Sequence, residues 1–303
     1  MIGPPEIAAA ADRIRGHVRR TPVVEGIAGA VMLKLEHLQH TGSFKPRGAF
    51  NTLLSQDVPA AGVVAASGGN HGAAVAHAAR ALGHPAHIFV PEIAGPSKIA
   101  LIERTGAELT VVPGAYANAL DAAREHEERT GAMQVHAYDA PGTVTGQGTL
   151  FAEWEAQGLD ADTVLIAVGG GGLIGGALAW FNGRRKVVAV ESEGTATLHT
   201  ALAEGPDAQI VPAGIAANAL GASRIGRIAY DLAKRDGIDS VVVTDAAIAD
   251  AQRLLWQEMR QLVEPAGAAA LAALASGAYR PANGETVAVL VCGGNIAPDP
   301  LTS

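Results

Sequence analysis

Cysteine is nearly absent from this chain: one among 303 residues, with aromatic residues at only 4%. A single cysteine cannot close an internal disulfide or build a cysteine zinc site, so a reducing compartment, the cytoplasm, is expected. Basic residues are outnumbered, 22 against 30 acidic, for a net charge of −8. A sequence-independent grip on nucleic acid needs a concentrated basic surface; none is present, and no nucleic-acid partner is expected. No apolar run approaches the roughly 20 residues of a membrane span. The longest, residues 266–275, is mostly alanine and reads as a buried helix. Glu6 and Asp12 interrupt the apolar N-terminus, so neither a secretory signal nor a membrane partner is expected. The His-Glu-x-x-His and Gly-x-Ser-x-Gly motifs are also missing.

What the chain does have is aliphatic and small: 49% hydrophobic residues and 37 glycines. A repeated pattern runs through it, in which a short apolar run leads through a glycine-bearing loop into a helix-period stretch. Such runs include Val63-Val64-Ala65-Ala66, Ala86-His87-Ile88-Phe89-Val90, Thr163-Val164-Leu165-Ile166-Ala167-Val168, Lys186-Val187-Val188-Ala189-Val190 and residues 286–291. Continuous aliphatic strands without alternation suit parallel sheets covered on both faces. The predicted fold is α/β, with two open, mostly parallel, doubly wound sheets flanked by helices. Residues 1–49 and 144–303 are expected to form a large cofactor-binding domain, and residues 50–143 a small, mobile domain carrying a substrate loop. Ligands in such folds bind at the carboxyl ends of strands.

Four groups of loop residues stand at those ends. Lys45, one of five lysines against 17 arginines, precedes Pro46 at what reads as a helix start. The helix N-terminus disfavours its protonated form, which suits an amine nucleophile. Ser67-Gly68-Gly69-Asn70-His71-Gly72 joins a strand to a helix, where small residues and free N–H groups suit an anion. Gly169-Gly170-Gly171-Gly172-Leu173 has the form of a phosphate-binding loop. It also fits a dinucleotide pattern, with Glu191 about 20 residues on, so a dehydrogenase competes on this segment. Gly146-Gln147-Gly148-Thr149, Glu264-Pro265 and Cys292-Gly293-Gly294-Asn295 read singly as turns at element junctions.

Together and in this order, these motifs resemble the fold-type II pyridoxal-phosphate enzymes (tryptophan synthase β-subunit-like), in particular the serine/threonine dehydratase and serine racemase family. The resemblance spans nearly the whole chain; the dinucleotide pattern explains only one of the six motifs. It implies pyridoxal 5'-phosphate as cofactor, linked covalently to Lys45, with Phe44 against its ring. Asn70 is implied to bond the ring's 3-oxygen, Gly169, Gly170, Gly171, Gly172 and Leu173 to hold the phosphate, and Cys292 to face the pyridine nitrogen. Backbone groups of Ser67, Gly68, Gly69 and His71 are implied to take the substrate carboxylate. A homodimer is also implied.

A thiol is a weak, neutral partner for the pyridine nitrogen, so charge at the substrate Cα is better relieved by expelling a β-group. The expected reaction is β-elimination of water from L-serine or L-threonine, giving a 2-oxo acid and ammonia, with the freed Lys45 amine taking the Cα proton. The cofactor phosphate is the expected acid for the departing hydroxyl. The alternatives are serine racemisation and dehydration of another hydroxy amino acid such as 3-hydroxyaspartate. The family's racemases resemble one another in a second serine at the place of Gly68, and glycine cannot move a proton. Their metal pair, a glutamate and an aspartate six residues on, corresponds to Glu191 and Thr197, so no metal is expected. Asn218 stands where the family often carries an acid. The chain stops soon after Cys292, so a catabolic enzyme without a regulatory domain is expected.

Overall fold

The structure, a computed structural model, describes residues 2–114 and 116–297. In chain order its elements begin with α1 (Pro4–Arg13), β1 (Val23–Glu25), β2 (Met32–Leu35), α2 (Lys45–Leu54), β3 (Val63–Ala66), α3 (Asn70–Leu82), β4 (Ala86–Pro91), α4 (Pro96–Glu103), β5 (Glu108–Val112), α5 (Tyr116–Thr130) and β6 (Met133–Gln134). They continue with α6 (Pro141–Ala156), β7 (Thr163–Ala167), α7 (Gly172–Phe181), β8 (Lys186–Ser192), α8 (Thr197–Glu204), α9 (Ala217–Leu220), α10 (Arg227–Asp236), β9 (Asp239–Val243), α11 (Asp245–Met259), α12 (Pro265–Ala275) and β10 (Val287–Val291).

The strands form two sheets, in the orders β1-β2-β10-β7-β8-β9 and β5-β4-β3-β6. Every pairing is parallel except β1 with β2, an antiparallel edge. β3, β7 and β10 are buried along their whole length, as helices on both faces require. No helix among the described residues is long and apolar enough to cross a membrane. The alanine-rich stretch is α12, buried as expected.

The strand order positions the site. β2, β10 and β7 lie side by side, so the chain leaving their carboxyl ends brings Lys45, Cys292 and the glycine run together. Phe44 N–H donates to the Cys292 carbonyl at 3.1 Å, and Ser43 bridges Gly293, tying the first two segments directly.

One expectation needs correction. Gly146-Gln147-Gly148-Thr149 is not a turn; it lies inside α6. Its glycines serve close approach between helices. A Cβ at Gly146 would stand 2.5 Å from the Arg47 carbonyl oxygen and 2.7 Å from the Gly48 Cα on α2. A Cβ on Gly176 of α7 would stand 2.5 Å from the Gly148 nitrogen. The helix propensity lost at each glycine, about 1 kcal/mol, is offset by this packing. Gly146→Ala is therefore expected to destabilise the fold by about 1–3 kcal/mol, because backbone on two helices must move apart. The urea unfolding midpoint checks this: an alanine variant as stable as the parent would contradict the close packing.

Candidate active site

Lys45 is the first residue of α2, and Pro46 fits the first helical turn because its missing N–H would be unbonded there anyway. The Nζ donates to the Ala137 carbonyl at 2.8 Å and lies 5.1 Å from the Phe44 ring centroid. Burial is the main reason its amine is lowered to about 8, against the opposing charges of Cys292 and Glu264. The positive end of α2, expected from sequence, acts in the same direction. The consequence is that a neutral amine is accessible near physiological pH.

The loop at residues 67–69 leads into α3, with Gly69 as N-cap. Helix geometry leaves the N–H groups of the first turn without intrahelical acceptors. Ser67 Oγ accepts from Gly69 N–H at 3.2 Å. The His71 side chain is committed elsewhere: its Nε2 bonds the Val135 carbonyl at 2.8 Å, which requires a proton on Nε2. Burial and the Lys45 charge lower it to about 3, so it is neutral. Only its backbone remains for an anion.

Asn70 reaches across to the other sheet. Its Nδ2 donates to Glu264 Oε1 at 2.6 Å, and its Oδ1 accepts from Asn295 Nδ2 at 2.7 Å. Glu264 is 3% exposed, and burial raises it to about 7, with Asn70, Lys98 and Lys45 pulling the other way. Cys292 donates to the Ala266 carbonyl at 3.3 Å, and burial pushes its thiol up, so the sulfur stays protonated.

The glycine run opens α7, with Gly171 at φ +94° as its N-cap, a conformation that costs glycine least. Close walls wrap the run: a Cβ on Gly170 would fall 2.3 Å from the Tyr138 ring, and one on Gly169 would fall 2.9 Å from the Leu220 Cα. These glycines line one cleft with Phe44, Lys45, Asn70, Tyr138, Leu173, Glu264 and Cys292. The cleft thus gathers the cofactor residues named from sequence, whereas Ser67, Gly68, Gly69 and His71 stand beside it on the smaller sheet.

Three residues escaped sequence reasoning. Tyr138 packs over the glycine run, and its phenol is pushed up by burial. Lys98 on α4 donates to the Asn218 carbonyl at 2.5 Å, bridging the two sheets, and its amine is lowered by burial. Ala94 lies against Gly68, whose added Cβ would fall 2.3 Å from the Ala94 Cβ. The scarcity of lysine was the available signal for Lys98. Glu191, the remaining half of the family's metal pair, accepts from Leu198 N–H at 2.8 Å and His199 N–H at 2.7 Å and caps α8.

The residues present fit pyridoxal 5'-phosphate. An aldehyde needs a neutral amine, supplied by Lys45; a phosphate dianion needs a close backbone approach at a helix N-terminus, which the wrapped glycine run provides. A pyridine nitrogen at Cys292 would meet a protonated thiol.

Comparisons with known proteins agree. The family described as "Pyridoxal-phosphate dependent enzyme" matches residues 14–293. A phenylserine dehydratase of Ralstonia pickettii is 36% identical over 300 residues, covering 95% of this chain and 92% of that protein. An L-threonine ammonia-lyase of Thermotoga maritima is 34% identical over 307 residues, covering 98% of this chain and 76% of that one. The structure of maize serine racemase superposes with a TM-score of 0.91 at 31% identity, covering 99% of this chain and 95% of that one. With a lysine, a glycine cradle and a thiol at the ends of adjacent strands, and with relatives matched along nearly its full length, the chain belongs to the pyridoxal-phosphate dependent enzymes of fold type II.

Proposed function

We propose that this protein is an ammonia-lyase that eliminates water from a β-hydroxy amino acid, L-serine or L-threonine first, to give a 2-oxo acid and ammonia. The bound cofactor supplies an aldehyde that captures the substrate amine and a ring that draws electrons from Cα. Lys45 would hold the cofactor, and its freed amine would take the Cα proton on Nζ. Asn70, oriented by Glu264 and Asn295, would hold the ring oxygen through its remaining amide hydrogen. The backbone N–H groups at the start of α3 take the carboxylate.

The observation that carries elimination is the buried Cys292 thiol donating to the Ala266 carbonyl, where burial favours its protonated form. A neutral thiol at that position would give a ring nitrogen no charged partner with which to stabilise a long-lived charge at Cα. Serine racemisation is the second candidate, and the likeness to maize serine racemase favours it. Against it stands Gly68: with Ala94 filling the space a Cβ would need, no side chain is available there to move a proton.

The test is oxo-acid release from L-serine, L-threonine, 3-hydroxyaspartate and phenylserine, with chiral analysis of the serine reaction. Pyruvate or 2-oxobutyrate forming faster than D-serine is expected. D-serine outpacing pyruvate would replace the proposal with a racemase. Activity confined to phenylserine or 3-hydroxyaspartate would keep the reaction and change the substrate.

Lys45 also sets a pH dependence. Its ammonium must lose a proton before capturing the aldehyde, so cofactor uptake by stripped protein should accelerate with rising pH and level off above about 8. An ordinary lysine would keep accelerating toward about 10.4. Absorbance-monitored uptake from pH 6 to 10 distinguishes the two.

A further inference from the structure

Lys98 is an amine taken out of water that forms no close ion pair among the described residues. It is 6% exposed, and its hydrogen-bond partner is the neutral carbonyl of Asn218. Glu264 is the carboxylate whose charge it feels, and that carboxyl is itself half-protonated near neutral pH. A buried ammonium with one carbonyl acceptor among the described residues is costly unless a further partner arrives, and it has N–H groups beyond the one given to Asn218. Its head lies over the loop that opens α3: a Cβ on Gly69 would stand 3.5 Å from Nζ and 3.7 Å from the Asn218 oxygen. An anion docked on the first-turn N–H groups of α3 therefore comes within reach of the same ammonium.

We propose that Lys98 is a substrate-binding residue: it donates to the carboxylate of the amino acid docked at the start of α3 while keeping its hold on Asn218. This rests on the amino-acid reading above, and it adds a consequence. Asn218 belongs to α9, and its neighbours Ala219 and Leu220 line the cleft. One side chain would thus read the substrate's charge from the smaller sheet and fix a wall of the cleft on the larger one.

Calorimetric titration of the cofactor-loaded protein with L-alanine and with L-alaninamide tests this without turnover. Neither ligand has a group to eliminate, and only the first has a carboxylate. The parent should prefer alanine, and Lys98→Met should reduce that preference by about 10- to 100-fold, as loss of a charge-assisted hydrogen bond predicts. Lys98→Gln, which can still donate to Asn218 but carries no charge, should lose the preference too. An unchanged ratio, or equal weakening of both ligands, would overturn the proposal and leave Lys98 as a bridge between sheets. A parent that forms no oxo acid from any hydroxy amino acid, yet shows the Lys98-dependent preference, would overturn elimination while supporting this assignment.

Discussion

Lys45→Ala is expected to abolish covalent cofactor capture and to lower oxo-acid release by roughly 10²–10⁴-fold from loss of the proton-transfer role alone. The reason is geometric. Nζ lies in the same cleft as the glycine run, Asn70 and the protonated Cys292, and its amine is tuned by burial to about 8. Among the other lysines, Lys34 is engaged with Glu153 and Gln157, and Lys98 with Asn218. Neither lines the cleft beside Phe44 and the glycine run as Lys45 does. Removing the amine takes away one hydrogen bond, to the Ala137 carbonyl, so the fold should survive. The check is the absorbance of the reconstituted variant together with its turnover, alongside a circular-dichroism melt. A variant that keeps both its chromophore and normal turnover would show that another residue carries the chemistry. Loss of turnover with a collapsed melt would be no test, and Lys45→Arg, similar in length but unable to form the linkage, then provides the second variant.

Arg47→Met should cost the fold about 3–5 kcal/mol, the range for breaking a buried ion pair from one side. Arg47 is two residues along α2 from Lys45. Its Nε bonds Glu36 Oε1 at 2.6 Å, and its Nη2 bonds Glu36 Oε2 at 3.1 Å and Glu153 Oε2 at 3.0 Å. The side chains of Arg47 and Glu36 are 2% and 0% exposed. Lys34 completes the cluster by bonding Glu153 Oε1 at 2.5 Å. Methionine would fill the volume but strand the Glu36 carboxylate with Thr21 Oγ1 at 2.6 Å and Gln39 Nε2 at 3.4 Å. The loss arises from that stranded charge, so Arg47→Met with Glu36→Gln should recover much of it. Guanidinium unfolding of the parent, both single variants and the double variant measures the coupling. A single variant less than about 1 kcal/mol below the parent would mean that the cluster does not hold α2. Because α2 begins with Lys45, the destabilised variant should also retain cofactor less well.

The readable parts of the molecule share one property: their cause is local. Val63-Val64-Ala65-Ala66 and Thr163-Val164-Leu165-Ile166-Ala167 are continuous aliphatic runs, and both became buried parallel strands. Lys45 before Pro46 marked a helix start because proline tolerates only the first turn. Four successive glycines before an apolar run marked a loop opening a helix. Where partners are distant in the chain, local signals failed. The glycines at 146 and 148 carry the same chemistry as turn glycines, and only α2 and α7 packed against them show that they are helical. Lys98 meets Asn218 across 120 residues, and Asn70 meets Glu264 across 194.

By itself, then, the order of aliphatic runs and glycine loops determined two mostly parallel sheets with the candidate site residues near strand ends, because a strand and its following turn are specified within a few residues. Only the tertiary structure decided how Lys45 acquires its low proton affinity, what fills the space beside Gly68 and which cation stands over the α3 terminus. Burial and charge pairing are sums over neighbours brought together by the sheet order, and no window along the chain contains them.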